Sequence, residues 1–310
     1  MKARVLKSMG KWYLVRSEAT NEVFRCRLVG KMRLEDIKTT NPVAVGDWVM
    51  VQKHPQLLEG EITEVLERNN YIIRQSPHRK HLRHVIAANL DQAMLIITFS
   101  KPRTSLGFID RFLITAEMYH IPTILVFNKA DIYKPKDLAK YERAKAVYEA
   151  LGYTCFLTSA ITGQGNEDLQ NAIANKTTLL AGHSGVGKSS LINRIAELEL
   201  ETKQISEKYN KGVHTTTFAA MYELPFGGDV IDTPGIKQFG VVHIEPEEVG
   251  HYFPEIRNRL GDCKFSNCLH ENEPDCAVIA AFAEEIIAEE RYINYLKVLE
   301  DVKSVNYWER

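Results

Sequence analysis

The octapeptide Gly182-His183-Ser184-Gly185-Val186-Gly187-Lys188-Ser189 constrains this chain more than any other stretch. Glycines at this spacing, ahead of a lysine and a hydroxyl, let backbone N–H groups converge on one concavity. Residues Thr177 to Ala181 before it read as a buried strand, and Ser190 to Ile195 after it as the first turns of a helix. The helix N-terminus adds positive potential, Lys188 reaches the outer phosphates, and Ser189 offers an oxygen to Mg²⁺. The expected ligand is a nucleoside triphosphate, with the whole loop and Ser190 as candidate contacts.

The chain has 310 residues, 45% of them apolar, enough for two or three packed cores. Its net charge of −1 conceals a gradient: residues 1–84 hold sixteen Lys/Arg against nine Asp/Glu, residues 245–310 seven against fifteen. No apolar run is long enough for a membrane helix, and Met1-Lys2-Ala3-Arg4-Val5 lacks the apolar core of a signal peptide, so a cytoplasmic protein is expected. Of five cysteines, three fall within Cys263–Cys276; Cys26 and Cys155 sit in apolar strand patterns as buried free thiols.

Residues 1–68 alternate short strand patterns with turns, at Trp12–Val15, Val23–Leu28, Trp48–Val51 and Glu61–Leu66, the rhythm of a small β-barrel. With Lys11, Arg25, Arg27, Lys31 and Arg33 on its surface, the barrel is either an oligonucleotide binder of OB type or a scaffold. From Arg68 to Leu90 there is no acid, while Arg68, Arg74, Arg79, Lys80 and Arg83 gather with three histidines. Residues 69–84 are expected to be a basic linker that doubles as a polyanion contact. Beyond it, strands (92–99, 122–127, 154–158, 177–181) alternate with helices (around 108–116, 136–151, 167–174), which predicts a parallel sheet over 85–244.

Ligands in such sheets lie beyond the C-terminal strand ends. One end runs into Asn128-Lys129-Ala130-Asp131 and the next into Ser159-Ala160. A carboxylate at Asp131 accepts from guanine N1–H and its exocyclic amine, with Asn128 and the Ala160 N–H serving the rest of the ring; adenine would leave that carboxylate unpaired. After the phosphate loop come Gly212-Val213-His214-Thr215-Thr216-Thr217 and then Asp232-Thr233-Pro234-Gly235. Asp232 is placed to hold Mg²⁺ through water, Gly235 to sense the γ-phosphate, and Thr215 or Thr216 to supply a second metal oxygen.

Near the C-terminus, Cys263, Cys268, His270 and Cys276 bring three thiolates and an imidazole within fourteen residues, the donor set of a closed, structural Zn²⁺ site. Residues 245–310 form an α-helical zinc-binding module, with one helix from Ala277 to about Val302 that packs through Val278, Phe282, Ile286, Ile293 and Leu296.

The motifs resemble those of translation-factor-type GTPases, but their order does not: Asn128–Asp131 and Ser159-Ala160 precede the phosphate loop. The order is that of a circularly permuted GTPase, and with a barrel before it and a Cys/His site after it the chain resembles the RsgA (YjeQ) family over nearly its whole length. The resemblance implies GTP hydrolysis that is slow in the free protein and stimulated by the small ribosomal subunit, contacts to rRNA, release after hydrolysis, and a monomer. It also assigns Thr216 to Mg²⁺ and makes His214 the candidate for orienting water, Lys188 absorbing developing charge. The position after Asp-x-x-Gly is Ile236, which cannot orient water, and Gln238 is the other candidate. The chain leaves Gly235 through Lys237–His243 toward the zinc segment, a covalent path for a nucleotide-dependent shift.

Overall fold

A computed structural model describes residues 1–29, 42–54, 59–75, 83–196, 219–233 and 244–309. His214, Thr215, Thr216, Gly235, Ile236, Gln238 and the 237–243 exit lie outside the described residues, as do Lys31 and Arg33 of the barrel and Arg79 and Lys80 of the basic stretch.

The barrel is built from β1 (Lys2–Met9), β2 (Trp12–Ser17), β3 (Val23–Leu28), β4 (Trp48–Lys53) and β5 (Glu59–Val65). β1 pairs antiparallel with both β2 and β4 and so closes the sheet on itself. Strict alternation puts Ala3, Val5, Tyr13, Val15, Phe24, Cys26, Val49, Val51 and Ile62 inside. Sequence reading had no strand at β1, because Lys2, Arg4 and Lys7 alternate with small apolar residues and mask the pattern. Outside, Arg25, Arg27 and Lys11 are exposed. Trp12 lies under Arg27 at 4.9 Å and Trp48 under Lys2 at 4.3 Å, cation–π contacts that hold both rings flat on the barrel surface.

Part of the basic stretch is strand. β6 (Tyr71–Gln75) and β7 (Arg83–Ala88) pair antiparallel and bury Ile72, Val85 and Ala87. Arg68 is withdrawn from any polyanion: its guanidinium donates to both carboxylate oxygens of fully buried Asp47 at 2.7 Å and to the Pro42 carbonyl at 3.1 Å. A bidentate pair of this kind anchors the barrel's 42–47 turn.

The central sheet runs β10 (Thr154–Leu157), β9 (Thr123–Phe127), β8 (Gln92–Ile97), β11 (Thr177–Ala181), β13 (Asp229–Asp232), β12 (Ala220–Glu223). The first five are parallel and β12 is an antiparallel edge. β8, β9 and β11 are buried on both faces, which explains their unbroken apolar runs. One face packs against α1 (Leu106–Met118) and α2 (Pro135–Ala150), the other against α3 (Asn166–Ile173) and α4 (Lys188–Ala196). Capping explains the starts: Ser105 Oγ accepts the Phe108 N–H ahead of α1, and α2 opens with Pro135 and has Asp137 accepting the Lys134 N–H. Lys7 of β1 pairs with Ala220 of β12, so barrel and central sheet form one continuous ribbon of eleven strands. Arg4 donates to the Asn89 carbonyl and Thr177 Oγ1, and Arg16 to Asp229 and Glu223, across the same seam.

The C-terminal module begins with a 3₁₀ segment Pro246–Tyr252 and the single turn α5 (Pro254–Arg257), and ends with α6 (Ala277–Ala283) and α7 (Glu289–Glu309). The expected single helix from Ala277 is therefore broken. Glu285 takes a left-handed φ of 59° and the chain turns before Glu289. The break resets the helical phase, so Val278 is buried as expected, Phe282 and Leu296 are partly buried, and Ile286 and Ile293 are 58% and 39% exposed. Ile114 of α1 belongs to this module's core.

Candidate functional site

The strand ends bring the predicted motifs together. β11 delivers the chain into Gly182, whose φ of 133° suits glycine alone; a Cβ there would stand 2.2 Å from the Ile96 carbonyl oxygen. Gly187 has φ 95°, and a Cβ would meet Asn128 Nδ2 at 2.6 Å. Val186 is buried and plugs the loop into the sheet, Ser184 and Gly185 face solvent, and Ser189 and exposed Ser190 follow Lys188 in the first turn of α4.

Lys188 Nζ donates to the Gly182 and His183 carbonyls at 2.9 Å, which holds it across the loop's mouth. Burial pushes its pKa down and that of Asp232 up, and each is partly restored by the other's charge. The two ends of β11 and β13 thus place a cation and a carboxylate as neighbours in a poorly solvated corner, the setting in which phosphate and a divalent cation bind strongly. Thr233 Oγ1, next in the chain, is buried with no hydrogen-bond partner among the described residues.

Asn128 is buried, its Nδ2 donates to the Val186 carbonyl at 2.9 Å, and its Oδ1 accepts from Thr158 Oγ1 at 3.2 Å. It ties three strand ends to each other. Lys129, in a left-handed turn of φ 67°, lays its chain across the gap and donates from Nζ to the Gly185 carbonyl at 2.6 Å and the Lys101 carbonyl at 2.7 Å. Asp131 is exposed, and Ser159 Oγ donates to its Oδ1 at 2.5 Å. The same Ser159 oxygen accepts the N–H groups of Ile161 and Thr162, so one buried hydroxyl fixes both the carboxylate and the loop that carries Ala160. His183 stacks on Phe108 of α1 with ring centroids 3.8 Å apart, a contact that sequence reading missed.

At the far end of α1 the second site forms. The donor atoms of Cys263, Cys268, His270 and Cys276 all lie within 4.8 Å of one another. His270 Nδ1 is 3.6 Å from Cys263 Sγ and 3.4 Å from Cys276 Sγ, and those two sulfurs are 3.9 Å apart. A tetrahedron with Zn–S near 2.3 Å and Zn–N near 2.0 Å has edges of roughly 3.5–3.8 Å, so the donors fit a zinc-sized ion. Burial lowers the His270 pKa, against the pull of Glu273, and so favours the neutral imidazole that a metal needs. Glu273 accepts the N–H groups of Leu269, Glu271 and Asn272 and shapes the ligand turn; Tyr292 and Tyr295 of α7 donate to the His270 and Leu269 carbonyls at 2.7 Å.

Between the two sites lies a buried ionic clasp that the sequence reading did not identify. Asp110 of α1 accepts from Tyr148 of α2 at 2.7 Å, Arg291 at 2.6 Å and Asn294 at 2.5 Å, while Arg291 also grips Glu255 at 2.6 Å. The one acid in Phe108–Ala116, on the side of the helix that carries its apolar residues, was the available signal.

A parallel sheet with a phosphate loop at the end of its central strand, and base-reading residues arriving from strands earlier in the chain, defines a circularly permuted P-loop GTPase. Comparison makes this specific. The family model for the RsgA GTPase matches residues 65–242 and that for the RsgA N-terminal domain matches residues 2–57. The small ribosomal subunit biogenesis GTPase RsgA of Flavobacterium psychrophilum is 48% identical over 299 residues, 96% of this chain and 91% of that protein. Its counterpart in Bacteroides fragilis is 46% identical over 99% of both. The crystal structure of YjeQ from Thermotoga maritima superposes with a TM-score of 0.76 at 37% identity, covering 97% of this chain and 98% of that one. YloQ, described as a circularly permuted GTPase, gives 0.74 at 31% identity over 98% and 95%. The chain belongs to the RsgA GTPase family.

Proposed function

We propose that this GTPase acts on the small ribosomal subunit during its late maturation, binding in the GTP state and leaving after hydrolysis. The observation that carries the nucleotide part is the Asn128–Val186 hydrogen bond, which welds the base-reading turn to the phosphate loop so that one ligand touches both. The relatives named for small-subunit biogenesis, aligned from end to end, support the partner.

In this reading Asp131 accepts from the guanine N1–H and exocyclic amine, with the Ala160 N–H toward the ring oxygen. The aliphatic stem of Lys129 lies along the base. N–H groups from Gly182 to Ser190 cradle the phosphates, and Lys188 releases its two loop carbonyls to meet them. Ser189 and Thr216, with Thr215 as the other candidate, would hold Mg²⁺, with Asp232 reaching it through water, and the ion would supply positive charge against the β- and γ-phosphates. Gly235 senses the γ-phosphate and His214 orients the attacking water. The metal of the Cys263–Cys268–His270–Cys276 cage is zinc with a structural role. We assign residues 1–68 to an RNA-contacting barrel, 69–84 to the basic connection, 85–244 to the GTPase domain and 245–310 to the zinc module, in a cytoplasmic monomer. Among the described residues no helix is long and apolar enough to cross a membrane.

The test is GTP turnover by the purified protein alone and with small subunits, large subunits or bare RNA, repeated with His214→Ala. Stimulation confined to small subunits and lost in the variant is the expected result. Equal stimulation by all three would remove the small subunit from the assignment.

A further inference from the structure

A cleft of about 500 Å³ opens where α1, α2 and α7 diverge, on the side of the clasp away from the zinc cage. It is lined by Phe99, by Thr104 to Leu106 at the start of α1, by one stripe of α2 and by Glu290 and Arg291 of α7. None of the phosphate-loop or base-reading residues lines it. The α2 stripe is Lys140, Arg143, Ala144, Val147 and Tyr148, a single helix face that joins the clasp at Tyr148.

The lining has two chemistries. The floor is apolar and aromatic, made by Phe99, Leu106, Ala144, Val147 and the ring of Tyr148. The rim is cationic. Arg103 and Lys140 are exposed, and neither is paired with an acid among the described residues; Arg143 pairs with Glu290 at 2.6 Å while staying 67% exposed. The back wall is already saturated, since Asp110 and Arg291 spend their polar atoms on each other, Tyr148, Asn294 and Glu255. A ligand therefore gains from burying an apolar body against the floor and from setting negative charge at the rim, with no polar group to satisfy at depth. The volume lies in the range of small-molecule sites.

We propose that this cleft is a second ligand site, separate from the nucleotide site, that takes small aromatic anions: a flat apolar ring system bearing one sulfonate, carboxylate or phosphate. Because the loop that forms its edge also supplies the Lys101 carbonyl to Lys129, the site sits directly behind the nucleotide-binding turn without sharing atoms with it. The two ligands bind together rather than in competition.

Anilinonaphthalene sulfonate, which has this chemistry, serves as the probe on full-length, metal-loaded protein, with and without saturating GDP. The expected result is one saturable site whose affinity GDP does not reduce. Val147→Trp, which fills the cleft from its half-buried wall, abolishes binding. The double variant Arg103→Glu with Lys140→Glu weakens it about fivefold at low salt, as two exposed charges should. N-phenylnaphthylamine, the uncharged analogue, is not weakened by the double variant. GDP affinity measured on each variant shows that it is folded. Displacement of the probe by GDP, or unchanged probe affinity in folded Val147→Trp, would overturn the proposal.

Discussion

In the proposed reading Asp131 sets ligand choice as a single residue. Ser159 holds one of its carboxylate oxygens at 2.5 Å. Asp131→Asn replaces one of the two acceptors by a donor, so the amide oxygen keeps the N1–H but the amide N–H meets guanine's exocyclic amine; GTP affinity is expected to fall by about a hundredfold or more while xanthosine triphosphate, which carries a carbonyl in place of that amine, improves. Competition between the two nucleotides measures it, and an unchanged preference would remove Asp131 from the base site. The free thiols illustrate the opposite case, chemistry suppressed by packing. Burial pushes both Cys26 and Cys155 up to about 12. Their folded pKa values are raised, so the neutral form belongs to the fold: stability is complete below about pH 9 and declines as pH rises toward 12. At pH 8 each is about one part in ten thousand thiolate, and iodoacetamide is expected to leave both unmodified until the protein unfolds. Both cysteines were legible as buried in the sequence, because each sits in an apolar alternation. The hydrogen bond from Asn128 to Val186 was not legible, since the approach of two residues fifty-eight positions apart exists only after folding.

At the scale of elements, α1 and α7 share the clasp, and its energetics follow from burial. Arg291 is 3% exposed and answers two acids. Removing it with Arg291→Ala strands Asp110 and Glu255 without their countercharge, an expected loss of about 3–5 kcal/mol read by denaturant unfolding. A loss under 1 kcal/mol would mean water reaches the acids. The helix break before Glu289 has the same origin. The period of apolar residues continued through Ile286 and Ile293, but Tyr292 and Tyr295 must face the cage to donate to its two carbonyls, and that rotates the helix. A metal held by the cage would therefore add to this element's stability. Stripping it with a chelator is expected to release one ion per chain, to expose three thiols to a thiol reagent and to lower the helical signal, with GDP affinity retained because the nucleotide residues belong to other strands.

For the whole molecule, the continuous eleven-stranded ribbon and the α1 clasp leave the GTPase body fixed to a module on each side. A change at the phosphate loop has a packed route to the C-terminal module through the His183–Phe108 contact and α1, in addition to the covalent exit past Gly235. If nucleotide state sets the pose of the two flanking modules, small-subunit affinity is expected to be at least tenfold higher with a non-hydrolysable GTP analogue than with GDP. Equal affinities in a sedimentation assay would sever the link, since a ligand that binds two states equally shifts nothing.

What the sequence by itself determined is the chemistry that depends on local spacing. The phosphate loop, the Asn128–Asp131 turn and the Cys/His cage each need residues within four to fourteen positions, and strand–helix alternation needs only periodicity. Tertiary structure alone decided what depends on long-range meeting. It made β1 a barrel strand by pairing it on both sides, took Arg68 out of the basic surface through Asp47, paired β6 with β7, and broke the last helix. A charge or a short amphipathic run carries no local sign of its partner. Its role is fixed only when burial makes an unpaired polar group too costly and the fold supplies the group that answers it.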